Sequence, residues 1–101
     1  MANWNNAREV IESERFRKRP GMYFGSNSIL HFRSFYDGMI EFSESDPLRG
    51  FNEWVAEHYN WPESTVGWAN IILKECGGDE DNALKTFFEL YDAFKNKSKA
   101  L

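Results

Sequence analysis

The chain has 101 residues, of which 16 are acidic and 12 are basic, and it carries a net charge of −4. An apolar fraction of 42% with nine Phe, four Tyr and four Trp excludes a disordered chain and predicts one domain over residues 1–101. A lone cysteine, Cys76, excludes a disulfide framework, and no run approaches the roughly 20 apolar residues of a membrane-spanning helix. We therefore expect a single soluble domain in the cytoplasm, away from membranes.

Apolar residues recur with the period of an α-helix in five segments, which predicts an all-α, compact bundle of about five short amphipathic helices. The first helix is predicted over about residues 5–16. An irregular loop should follow over 17–25, because Pro20 disfavours helical geometry at Arg19 and Gly21 admits a positive φ.

Cap residues mark the next two helices. Ser28 and the two residues before it are good N-caps for a helix predicted over 28–43. Asp46 followed by Pro47 predicts the cap and first residue of a third helix, over 47–59.

The last two helices have both start and stop signals. Ser64 or Thr65 is predicted to cap the fourth helix, and the glycine pair 77–78 closes it. Acidic residues open the fifth helix and lysines end it, as the helix dipole favours. The strongest apolar stripe of the chain lies on this helix: Leu84, Phe87, Phe88, Tyr91 and Phe94.

Charge is distributed unevenly along the chain. Residues 34–82 contain eleven acidic and two basic residues, whereas residues 8–33 contain six basic and three acidic ones. An acidic surface repels nucleic acid and attracts a basic protein partner, although it is also typical of a merely solvated surface. The candidate partner-binding acids are Glu41, Glu44, Asp46, Glu53 and Glu57.

A basic cluster precedes this acidic middle. Arg15, Arg17, Lys18 and Arg19 stand close to Tyr23, an arrangement that can meet phosphates with an aromatic ring nearby. Because the cluster is short and the chain is acidic, we expect salt bridges to the acidic middle rather than direct nucleic-acid binding. All of these residues except Arg15 are also candidate contacts to a protein partner.

Residue types that carry chemistry are isolated in this sequence. His31, His58 and Cys76 lack the spacing of a zinc motif, and we interpret them as core or rim side chains rather than ligands or a nucleophile. Neither G-x-x-x-x-G-K-[ST] nor G-x-G-x-x-G occurs, so the usual phosphate cradles are missing. The sequence therefore predicts no enzyme activity, no cofactor and no metal site.

Residues 17–26 resemble the R-K-R-P-G-M-Y-x-G-S box near the start of the ATPase domain of type II topoisomerases such as DNA gyrase. That family continues with E-x-x-x-N, D-x-G-x-G and a glycine-rich lid. Here Ser45 follows Glu41 where the asparagine would stand, and the later boxes do not occur. The resemblance therefore implies no ATP site, and we interpret the box as a tight turn that anchors Tyr23.

A wider pattern combines the box with F-x-x-W-V-A-E, the segment S-T-V-G-W-A-N and a final A-L-x-x-F-F-E-L-Y-D-x-F helix. It resembles a group of small bacterial proteins, and this resemblance implies no activity and no catalytic residues. The proteins of that group are similar in size and distribution to immunity and anti-defence proteins. We expect a protein that binds and neutralises a protein partner, such as an immunity protein against a basic toxin or nuclease. The alternatives are an inhibitor from a phage or mobile element that blocks a host defence or DNA-handling system, a nucleotide-binding or regulatory subunit, and a homodimer joined through loop aromatics.

Overall fold

The computed structural model describes residues 7–41 and 46–99, and within them the backbone alone of residues 23, 24, 98 and 99. Seven helices and no strand occur in this part of the chain, which confirms the all-α prediction. The helices are α1 (Ala7–Glu12), α2 (Glu14–Lys18), α3 (Gly21–Phe24), α4 (Ile29–Ile40), α5 (Phe51–His58), α6 (Trp68–Glu75) and α7 (Glu80–Lys99). Among the described helices, none is both long and apolar enough to cross a membrane.

The core forms where α4, α5 and α6 pack against α7. Phe87 of α7 lies at its centre, with ring centroids 4.9 Å from Phe32, 5.7 Å from Phe51 and 4.8 Å from Trp68. The predicted stripe of α7 is confirmed, because Leu84, Phe87, Phe88 and Tyr91 are buried and Phe94 packs against the core. Tilted and edge-on aromatic pairs of this kind stabilise a core beyond the area that they bury.

The first predicted helix is in fact two. Ser13 interrupts it, and its hydroxyl accepts a hydrogen bond from the Phe16 N–H at 3.3 Å as the N-cap of α2.

The segment 17–25 is likewise not an irregular loop, since its first two residues end α2 and α3 follows. Its positive φ occurs at Gly25 (91°), not at Gly21. Gly21 has close neighbours instead: a Cβ there would lie 2.8 Å from Asn27 Oδ1 and 3.2 Å from the Ser26 carbonyl carbon, so a larger residue would require these neighbours to shift.

Polar contacts tie the first helices to α7. The Tyr91 hydroxyl donates to Glu12 at 2.6 Å, and the Lys95 ammonium lies 3.0 Å from the other oxygen of that carboxylate. Burial and the hydrogen bond to Glu12 raise the pKa of Tyr91 well above its usual range. Tyr91 is therefore a neutral donor that joins α1 to α7.

The start of α4 confirms one predicted cap and the start of α5 corrects another. Ser28 caps α4 and accepts from the His31 N–H at 3.2 Å, while the predicted end at 43 lies outside the described residues. Asp46 does not begin a helix: residues 47–50 form a turn, and α5 starts only after Gly50 (φ 82°). The Asp46 carboxylate accepts both from the Tyr36 hydroxyl of α4 and from the nearby Leu48 N–H, and the Leu48 carbonyl accepts from the Phe51 N–H at 2.9 Å, so the chain turns here before α5 begins.

Helix α6 starts later than predicted but ends where predicted. Neither Ser64 nor Thr65 caps it; instead Asn52 of α5 accepts from the Trp68 N–H at 2.8 Å. At the other end, the N–H groups of Gly77 and Gly78 donate to α6 carbonyls at 3.0 and 2.9 Å, both glycines having a positive φ. This is the glycine-closed helix end that the sequence predicts.

Candidate functional site

An open hollow of about 510 Å³ lies between α5 and the segment that leads to α6. Its lining includes three carboxylates, from Glu53, Glu57 and Glu63, and the ring of Trp61. We refer to these four residues and the space between them as the acidic hollow. Here residues of the acidic middle of the chain converge on an aromatic side chain.

The geometry of α5 and of the turn after it assembles the acidic hollow. Glu53 and Glu57 are four residues apart and share an exposed face of α5. After the helix, Asn60 adopts a positive φ of 60°, a conformation that asparagine tolerates better than most residues. The backbone N–H of Trp61 then donates to the Ala56 carbonyl at 2.8 Å. The chain therefore folds back along α5 and brings Glu63 beside this helix.

Trp61 is held in place by α6. Its Nε1–H donates to Glu75 Oε2 at 2.7 Å, and the Lys74 ammonium lies 5.7 Å from the ring centroid. The indole is only half-buried, so part of it stays accessible from the hollow. A ring with a fixed orientation loses little conformational entropy when a ligand packs against it.

The three carboxylates of the acidic hollow are uncompensated. Each of Glu53, Glu57 and Glu63 has an exposed side chain, and within residues 7–41 and 46–99 none of them forms an ion pair or hydrogen bond through its side chain. Three like charges around one hollow create a negative potential that favours a cationic ligand. The hollow is thus suited to a cationic group with an apolar stem.

The structure separates the other predicted acids from this hollow. Glu41 is exposed at the C-terminal end of α4 and is not part of the lining. Asp46 is already bound by the Tyr36 hydroxyl and the Leu48 N–H, and Glu44 lies outside the described residues. Burial of the ring, followed by the hydrogen bond to Asp46, raises the pKa of Tyr36 far above its usual range.

Two residues of the acidic hollow were not among the candidates from the sequence. These are Trp61 and Glu63, of which Glu63 contributed only to the charge of residues 34–82. The signal that could have found them was Asn60, because an asparagine at a helix end permits the left-handed turn that reverses the chain.

The basic cluster is divided by the fold. The Arg17 guanidinium donates to both carboxylate oxygens of Asp92, at 2.9 and 2.8 Å, and to the Ile11 carbonyl at 2.6 Å. The expected salt bridge therefore reaches α7 and not the acidic middle. Hydrogen bonding to Arg17 lowers the pKa of Asp92. Lys18 and Arg19 are exposed, and the Tyr23 side chain lies outside the described part.

The histidines and the cysteine lie at separate places. His31 Nδ1 is 2.5 Å from Ser26 Oγ, His58 stacks on Trp54 with centroids 5.2 Å apart, and Cys76 Sγ lies 3.6 Å from Thr86 Oγ1. Within the described residues, no three His, Cys, Asp or Glu side chains converge as metal ligands would.

No family model, no curated protein and no solved structure matches the chain. The resemblances of the 17–26 box and of the wider pattern remain predictions.

Proposed function

We propose that the protein binds a basic protein partner through the acidic hollow and thereby inhibits or neutralises it. The observation that carries this proposal is the placement of three unpaired carboxylates around a half-exposed tryptophan whose indole N–H is hydrogen-bonded to Glu75. A lysine or arginine side chain inserted there would meet carboxylates with its charged end and pack its stem on the indole.

The overall charge supports the same kind of partner. Residues 34–82 carry eleven acids against two basic residues, so the surface near the hollow attracts a cationic protein before contact. Tryptophan is among the residue types that most often contribute strongly to binding at protein interfaces. We therefore expect Trp61 to contribute affinity and the surrounding acids to contribute both the association rate and the choice of partner.

A toxin or nuclease with a basic active-site surface is the class of partner that fits best, which would make the protein an immunity protein. The same surface chemistry suits an inhibitor that a phage or mobile element directs against a host system. The two roles differ in the neighbouring gene: an immunity protein is encoded beside the toxin that it neutralises.

The test is co-expression of the protein with the product of the adjacent gene. If that product is toxic alone, wild type should restore growth, and the Glu53→Gln/Glu57→Gln double variant should not. The matched control is Glu14→Gln/Glu89→Gln, which removes two exposed carboxylates elsewhere. A neighbour that is harmless, or whose toxicity persists with wild type, would contradict the proposed role.

A binding measurement on the purified pair then locates the interface. We expect the Glu53→Gln/Glu57→Gln variant to raise Kd by about 100-fold, because each charge-assisted contact is worth about 1.4 kcal/mol or more. The Glu14→Gln/Glu89→Gln control should change Kd by less than about threefold. Equal weakening by both variants would show that the charge acts diffusely and would refute the hollow as the binding site.

A further inference from the structure

A second hollow, of about 260 Å³, lies between the first turns of α7 and the segment around the 17–26 box. Lys18, Pro20 and Asn27 form one wall, and Leu84, Lys85 and Phe88 form the other. We call it the basic hollow. It shares no residue with the acidic hollow and plays no part in the function proposed above.

The floor of the basic hollow is apolar. Leu84 and Phe88 are four residues apart on α7 and present one face of that helix, and Pro20 is buried opposite them. Phe88 is 8% exposed as a whole residue, and the Arg17 guanidinium lies 5.0 Å from the centroid of its ring, so a ligand can contact only the part of the ring that this group leaves open. A small ring or hydrocarbon group can displace water from such a base with a favourable free energy.

The rim carries an excess of positive charge. Lys18 has no carboxylate partner among the described residues, whereas Lys85 lies 3.2 Å from Asp81, with 74% of its side chain exposed. An exposed pair of this kind is weak in water, so the Lys85 ammonium can turn to a ligand at little cost. Arg17 also lines the hollow, but Asp92 neutralises it through two hydrogen bonds, so Lys18 and the weakly paired Lys85 supply the positive charge of the rim.

An amide donor completes the rim. Asn27 Oδ1 accepts the Gly21 N–H at 3.2 Å, and a Cβ at position 21 would lie 2.8 Å from the same oxygen, so a larger residue there would displace the amide. With its oxygen engaged, the side chain has two N–H donors left for a ligand. The box that resembles the gyrase segment thus builds one wall of the hollow through its Lys18 and Pro20, together with the asparagine that follows it.

We propose that the basic hollow binds a small organic phosphate monoester. Its phosphate would lie between Lys18, Lys85 and the amide of Asn27, and its apolar part would rest on Phe88, Leu84 and Pro20. The volume of about 260 Å³ is just below the range of about 300–1,000 Å³ of typical ligand pockets, so the ligand is a single-ring or short-chain monoester and not a nucleoside triphosphate.

The test is a titration of the full chain with phenyl phosphate, followed by two-dimensional NMR of the backbone amides. We expect saturable shifts confined to residues around the hollow, about tenfold weaker binding of inorganic phosphate, and no saturation with phenol. Absence of saturation with phenyl phosphate overturns the proposal. Equal affinity for inorganic phosphate overturns the apolar part of the site, and equal affinity for phenol overturns the anionic part.

Variants of the lining distinguish this site from general attraction of anions. Lys18→Gln and Lys85→Gln should each raise Kd for phenyl phosphate by about tenfold. The control Lys97→Gln removes an exposed lysine near the other end of α7 and should leave Kd unchanged. If the control weakens binding as much as the lining variants, or the lining variants bind as wild type does, the proposal is wrong. All three substitutions are of exposed side chains, and unchanged thermal unfolding would show that each variant is folded.

Discussion

Replacement of Arg17 by lysine tests whether the tie between α2 and α7 stabilises the fold. The guanidinium donates three hydrogen bonds, two to Asp92 and one to the Ile11 carbonyl, and it lies 5.0 Å from the centroid of the Phe88 ring. The Ile11 carbonyl belongs to the last turn of α1, where carbonyls lack partners within the helix. A lysine keeps the charge but cannot reproduce the planar fork that reaches both acceptors at once.

The expected cost follows from these contacts. Hydrogen bonds that involve a charged group contribute about 1.5–3 kcal/mol each, and lysine should lose two of the three. The Asp92 side chain is 50% exposed, so solvent screening reduces the contribution of its hydrogen bonds with Arg17. We therefore expect a net loss of about 2 kcal/mol in the free energy of unfolding. For a domain of this size the melting temperature should fall by roughly 10 °C.

Urea unfolding followed by circular dichroism measures this loss directly. The matched control is Arg15→Lys, an exposed position on the same helix, for which the change should stay within about 0.5 kcal/mol. A double-mutant cycle with Asp92→Asn should give a coupling of about 1 kcal/mol between the two side chains. If Arg17→Lys unfolds as Arg15→Lys does, or the two positions show no coupling, the reasoning from the bidentate contact is refuted.

Three further predictions concern stability. Because Arg17 lowers the pKa of Asp92, the ionised carboxylate stabilises the fold at pH values above its ordinary pKa. The difference in free energy of unfolding between wild type and Asp92→Asn should therefore shrink as the pH falls below about 4, which urea unfolding at a series of pH values would measure. Gly38→Ala should stabilise the protein by about 0.5–1 kcal/mol, because Gly38 lies on an exposed part of α4 and the new Cβ would meet open space. Gly50→Ala should destabilise the protein, because φ is 82° there, and equal melting temperatures for the two variants would contradict this. Tyr36→Phe should cost about 1–2 kcal/mol in chemical unfolding, since it removes the donor to Asp46, and an unchanged midpoint would show that this hydrogen bond is not stabilising.

Features of local origin were predictable from the sequence. The hydroxyl of Ser28 and the carboxylate of Asp79 cap their helices because the N–H groups that they bind lie three residues further along the chain. The glycine pair 77–78 closes α6 for a similarly local reason, the steric freedom of its backbone. The apolar stripe of α7 was equally readable, because its spacing follows from the helical repeat alone.

Features that depend on distant partners were not predictable. Asp46 has the sequence context of a helix cap, yet the hydroxyl of Tyr36 from α4 engages its carboxylate and α5 begins later. The start of α6 is likewise capped by Asn52, 16 residues earlier in the chain, in place of the nearby Ser64. At the start of α6 a contact made during packing replaced the local cap, whereas Asp46 keeps its local hydrogen bond to the Leu48 N–H and adds the one from Tyr36.

The same division holds for the candidate site. The sequence by itself determined an all-α chain with an acidic middle, because helical periodicity and charge depend on the order of residues alone. Only the tertiary structure decided which acids converge: the turn at Asn60 brought Glu63 and Trp61 beside α5, whereas Asp46 and Arg17 became occupied within the fold. A side chain is free to bind a partner only when packing leaves it unpaired, and pairing between distant residues is settled by the folded chain.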